Sequence, residues 1–142
     1  MSDLHGHYLE DLEVGMSASY AKTVSESDVY TFAGITGDNN PIHINEEFAA
    51  TTPFKKRIVH GMFSAGLIST VLGTRLPGPG AIYIDQTLKF KAPVYIGDTV
   101  TATATVEEID TRRRRVKLST VCTVNGKVVA QGQATNMVDS RD

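Results

Sequence analysis

The segment Gly37-Asp38-Asn39-Asn40-Pro41-Ile42-His43 holds a carboxylate and an imidazole five residues apart around a proline. Such a pair suits general acid and base work on one water, because neither group alone can both remove and deliver a proton in a single passage. Asn40 stands between them and can orient the pair through its amide. The same residue types also make turns for conformational reasons alone, and His43, flanked by Ile42 and Ile44, equally suits a satisfied core histidine. The company the segment keeps raises its interest. Seventeen residues after His43, His60-Gly61-Met62 opens an apolar stretch with helical spacing. The first amides of a helix lack intrahelical acceptors and sit at the positive end of its dipole. Gly61 is thereby placed to offer an N–H to a carbonyl oxygen as negative charge develops on it.

Several elements must position these groups. Ser25 to Asp28 reads as a helix start, with serine caps and acids in the first turn followed by Val29, Phe32 and Ala33, and Gly34 and Gly37 keep that helix short. A loop follows over residues 36–41, then a short helix near residues 46–50. Residues 58–76 form the best helical pattern of the chain: Met62, Phe63, Leu67, Ile68, Val71 and Leu72 recur near every 3.6 residues, with small Gly61, Ala65, Gly66 and Gly73 between them. A helix this apolar is expected to be buried. After Pro77-Gly78-Pro79-Gly80 the period becomes two, with strands expected over residues 82–90, 100–106 and 116–124 and, after the hairpin signal Asn125-Gly126, from Lys127 onward. One more strand near residues 16–23 brings the sheet to about five. The whole chain, residues 1–142, reads as one α+β domain in which an antiparallel sheet wraps a long buried helix.

With 142 residues there is room for one domain and a substantial core. Fourteen basic against sixteen acidic residues leave a net charge of −2, which provides no basic field for nucleic acid. No stretch approaches the ~18 apolar residues of a membrane span, and the first residues contain neither a basic start nor an apolar run, so a cytoplasmic protein is expected. Cys122 is the only cysteine and falls at an inward strand position, which suits a core residue. No spacing among the four histidines suggests a metal site; His5 and His7 lie in a terminus expected to be mobile.

The motifs taken together resemble the MaoC-like or hydratase-2 family of (R)-specific enoyl-CoA hydratases. The matching residues are Phe32-Ala-Gly-Ile-Thr-Gly-Asp-Asn-Asn-Pro-Ile-His-Ile-Asn45, Phe48-Ala-Ala-Thr-Thr-Pro-Phe54, Ile58-Val-His-Gly-Met62, Ile82-Tyr83 and Phe90-Lys-Ala-Pro-Val-Tyr-Ile-Gly-Asp98. The likeness runs over nearly the whole chain, and it is nearest the short bacterial members that supply polyhydroxyalkanoate monomers. It implies the hot-dog fold, Asp38 and His43 as the catalytic pair, the Gly61 amide as oxyanion hole, and Asn40 and Ser69 in support. It also implies a homodimer with each active site near the subunit interface, a coenzyme A thioester as substrate, and no cofactor. Leu72 and Met137 are candidates to close an acyl pocket and favour short chains. Arg112, at the start of a run of four arginines, and Lys89, with Lys56 and Lys91, are candidates for the coenzyme A phosphates, although such a run most often marks a solvated hairpin tip. Two rival readings keep the fold: thioester hydrolysis, and a non-catalytic acyl-thioester binding subunit.

Overall fold

The structure is a computed structural model in which residues 3–142 are described. Strand β1 (Ser17–Thr23) leads into helix α1 (Glu26–Thr36). A capping box starts α1: the Ser25 hydroxyl accepts from Asp28 N at 3.0 Å, and the Asp28 carboxylate accepts from Ser25 N at 2.9 Å. The backbone bond to Ser25 is the first reason the Asp28 carboxyl titrates below its ordinary value. The helix is longer than the glycines suggested, because Gly34 is carried within it. It ends only at Gly37, whose φ of 80° is the left-handed conformation that suits a residue without a side chain.

Two short helices follow, α2 (Pro41–Ile44) and α3 (Glu46–Ala50). Each starts on an asparagine: Asn40 Oδ1 accepts from Ile42 N at 3.1 Å, and Asn45 Oδ1 from Phe48 N at 3.0 Å. The long helix α4 spans Gly61–Thr74, narrower than the expected 58–76. Its expected first turn is extended instead, since Ile58 bridges to Tyr95 and Val59 N donates to Val94 O at 2.7 Å. Pairing across the chain therefore overrides the local apolar pattern, and His60 becomes the residue before the helix.

The remaining strands are β2 (Ile82–Gln86), β3 (Lys89–Phe90), β4 (Thr99–Asp110), β5 (Arg115–Val124) and β6 (Lys127–Met137), all paired antiparallel in the order β1-β4-β5-β6-β2, with β3 also on β6. The expected strand over 82–90 is thus broken in two. Thr87 carbonyl dips against Gly132, where a Cβ would lie 1.7 Å from that oxygen, and Thr87 N donates to Gln133 O at 2.9 Å. Asn125 and Gly126, both at positive φ, make the β5–β6 turn as expected. Arg112 to Arg114 form the β4–β5 turn.

Inward residues of β4 alternate as Val100, Ala102, Ala104 and Val106, and α4 packs on this strand through Leu67, Ile68, Val71 and Leu72. The two alanines let the helix approach, and each fully buried large aliphatic side chain contributes ~1.5–3 kcal/mol. This sheet wrapped around one buried helix is the hot-dog arrangement. Cys122 lies in the same core, where burial pushes its thiol up to about 11. The amino-terminal segment is tied down, against expectation: Gly6 N and His7 N donate to Pro79 O and Pro77 O, and His5 bonds Asp139.

Candidate active site

Asp38 sits in the loop between α1 and α2 with its carboxylate exposed. Its N–H donates to Thr36 Oγ1 at 3.1 Å, so the end of α1 directs it. His43 is carried by α2 and is buried. Its Nδ1 lies 2.7 Å from Ile58 O; a carbonyl only accepts, so this nitrogen bears the proton and Nε2 is left with its lone pair. Burial is the main reason that His43 titrates below its ordinary 6.5; the Ile58 carbonyl opposes that, as does the Asp38 charge. Asn40 caps α2 through Ile42 N, with its own N–H 3.4 Å from Asp38 Oδ1.

His60 joins the two halves of the site. Its Nε2–H donates to Asp38 O at 2.9 Å, its ring stacks on His43 with centroids 3.8 Å apart, and the Phe32 ring lies tilted against it at 4.7 Å. Gly61 follows as the first residue of α4, and the Phe90 ring approaches so closely that a Cβ there would lie 2.8 Å from it. Asp38, His43 and His60 each bring one possible metal-ligand atom to within 4.8 Å of the others. The two imidazoles are stacked 27° from parallel, and one nitrogen of each is held by a backbone carbonyl, His43 Nδ1 by Ile58 and His60 Nε2 by Asp38.

Two clefts meet at Asp38 and Met62. One, of about 480 Å³, runs past His60, Gly61 and Phe54 to the segment Phe90, Lys91, Ala92, Pro93 and Val94. The other, of about 660 Å³, runs between α1, α4 and β2 past Phe32, Ala65, Ser69, Tyr83 and Leu88. Ser69 therefore faces the second cleft. Tyr83 on its wall is pushed up to about 12 by burial, and it donates to Gln86, which in turn donates to Thr120 Oγ1 at 2.8 Å. Neither His43 nor Asn40 lines either cleft, and the structure does not bring the remaining candidates to them. Leu72 is in the core, Met137 ends β6 opposite Ile82, Lys89 lines a separate depression with Thr120, and Arg112 is in the β4–β5 turn. Conversely, His60, Tyr83 and Phe90 were not singled out from sequence as site residues. His60 carried a signal in its motif, but its contacts with residues 38 and 43 depend on the extended path of residues 58–60.

The fold and the site define an α+β hot-dog domain with a paired acid and imidazole beside a helix start. A family model for the MaoC like domain matches residues 11–130, and the chain belongs to that family. It is 63% identical over 139 residues, 98% of this chain and 96% of the other, to an (R)-specific enoyl-CoA hydratase of Rhodospirillum rubrum. It is 54% identical to a 3-hydroxybutyryl-CoA dehydratase of Methylorubrum extorquens, covering 100% of this chain and 90% of that protein. The solved (R)-hydratase of Aeromonas caviae, described as involved in polyhydroxyalkanoate biosynthesis, matches with a TM-score of 0.88 at 40% identity over 91% of this chain and 98% of that one.

Proposed function

We propose that this protein is an (R)-specific enoyl-CoA hydratase, a hydro-lyase that reversibly adds water to a trans-2-enoyl-CoA to give the (R)-3-hydroxyacyl-CoA. The observation that carries this is the meeting of two clefts at Asp38, with Gly61 on the wall of one and a ring nitrogen of the buried His43 within 4.8 Å of the Asp38 carboxylate. A thioester substrate is long on both sides of its reacting carbons, and such a junction lets the acyl chain and the pantetheine arm leave in different directions. In the proposed reaction the Gly61 N–H takes the thioester oxygen, which makes carbon 3 electrophilic. Asp38 and His43 hold one water between them; its hydroxide adds at carbon 3, and its proton goes to carbon 2 on the same face. The pair supplies both transfers, so no cofactor enters the scheme.

We further propose a homodimer. Edge strand β2 exposes Ile82, Tyr83 and Ile84, and Met62 is exposed nearby on the wall of both clefts. An uncovered apolar edge strand invites pairing with another chain. By likeness to the Aeromonas caviae protein, the product is proposed to serve polyhydroxyalkanoate synthesis, in the cytoplasm. No helix among the described residues is long and apolar enough to cross a membrane.

Crotonyl-CoA tests the reading. Loss of the double bond with formation of (R)-3-hydroxybutyryl-CoA is expected, and an (S) product would overturn it. Release of free thiol from saturated acyl-CoA would show a thioesterase instead, and tight binding without turnover at any chain length would show a binding subunit.

A further inference from the structure

His60 is 2% exposed, and its Nδ1 is buried with no hydrogen-bond partner among the described residues. An unpaired polar atom in a packed interior is destabilising, so an apolar ring would serve packing better at this position. The surroundings suit such a ring: Phe32 lies at 4.7 Å and His43 at 3.8 Å, centroid to centroid. The polar ring must be accounted for by its other nitrogen. Nε2 reaches across 22 residues to the carbonyl of Asp38, in a loop whose own side chains otherwise bond only to near neighbours in sequence. The same residue stacks on His43 and supplies the peptide that leads into Gly61.

We propose that His60 is a positioning residue that sets Asp38, His43 and the Gly61 amide in one frame through the Nε2–H bond and the ring stack, at the expense of local packing. The inference rests on reading Asp38 and His43 as the proton-transfer pair. Because Nδ1 is enclosed and Nε2–H is held by a backbone carbonyl, His60 itself exchanges no proton with substrate; it acts through its neighbours. Misplacing reacting groups by about 1 Å can cost ~10²-fold in rate.

The test separates stability from turnover. His60→Phe keeps the ring and removes both the unpaired nitrogen and the Asp38 bond. His60→Gln keeps a side-chain N–H able to reach the Asp38 carbonyl and removes the ring. We expect His60→Phe to melt at or above the temperature of the unaltered protein while kcat falls ~10²-fold with little change in KM. His60→Gln should melt lower yet retain several-fold more turnover per folded molecule. Activity that simply follows melting temperature across the two variants overturns the proposal, as does unchanged kcat in His60→Phe. A measurement on the unaltered protein stands apart from activity and from the folding of any variant. Nitrogen-resolved NMR is expected to show a His60 Nε2–H signal protected from solvent exchange, and a His60 ring protonated at Nδ1 instead would also overturn it. If the unaltered protein fails to hydrate crotonyl-CoA while that signal is present, the functional reading fails and the geometry of the frame stands.

Discussion

At the scale of single residues, the proposed chemistry rests on one lone pair and one carboxylate. The Ile58 carbonyl selects the His43 tautomer, so the free nitrogen is Nε2, and the exposed Asp38 carboxylate is the nearest acid. Folded Asp38→Asn and His43→Ala variants are expected to lose ~10²- to 10⁴-fold in turnover of crotonyl-CoA, measured as initial rates. A base works only when neutral. Since His43 titrates below its ordinary 6.5, the acid limb of kcat/KM is expected below that pH, with activity falling only as His43 gains its proton. A pH–rate profile with its acid limb at or above 6.5 would contradict the assignment. Asp38, Asn40 and His43 were legible as a group because they are close in sequence around a proline. His60 was not legible in its role, because its partners are 22 and 17 residues away and are met only after Val59 has paired with Val94.

At the scale of elements, two local devices carry the site. The Ser25–Asp28 capping box sets the start of α1, the helix whose end delivers Asp38; Ser25→Ala should lower unfolding free energy by ~1 kcal/mol in a denaturant titration. Gly132 has a different task. A methyl group there would collide with the Thr87 carbonyl at 1.7 Å, and backbone on both sides leaves no flexible atom to yield. Gly132→Ala is therefore expected to destabilise by about 2–3 kcal/mol or more, seen as a lower melting temperature. It should also disturb the Gln86 side chain, whose Nε2 donates to the Thr87 carbonyl as well as to Thr120 Oγ1, each at 2.8 Å. The expected continuous strand over 82–90 showed only an apolar alternation; the break comes from a glycine some forty positions later, which no local window contains.

At the scale of the whole molecule, the clefts are open and β2 forms an exposed apolar edge. The proposed dimer covers that edge, and activity should then depend on assembly. Sedimentation across a dilution series is expected to show a dimer, with specific activity falling where the monomer appears. A monomer of full activity at matched concentration would refute this. Placing a charge on the edge, as in Ile84→Lys, should shift the equilibrium toward monomer while leaving the buried core untouched, since Ile84 is 45% exposed.

The amino-acid sequence by itself determined the fold class, the order of the main helices and strands, the β5–β6 turn and the closeness of Asp38 to His43. Each of these rests on periodicity, capping or turn chemistry acting over a few residues, which a linear chain displays directly. Only the tertiary structure decided where α4 begins, that His60 bridges Asp38 and His43, that Thr87 breaks the strand, and that two clefts meet at the acid while Leu72, Met137, Lys89 and Arg112 lie elsewhere. Those outcomes depend on pairings and packing between distant segments, whose energies outweigh local preference and are not encoded in any single stretch.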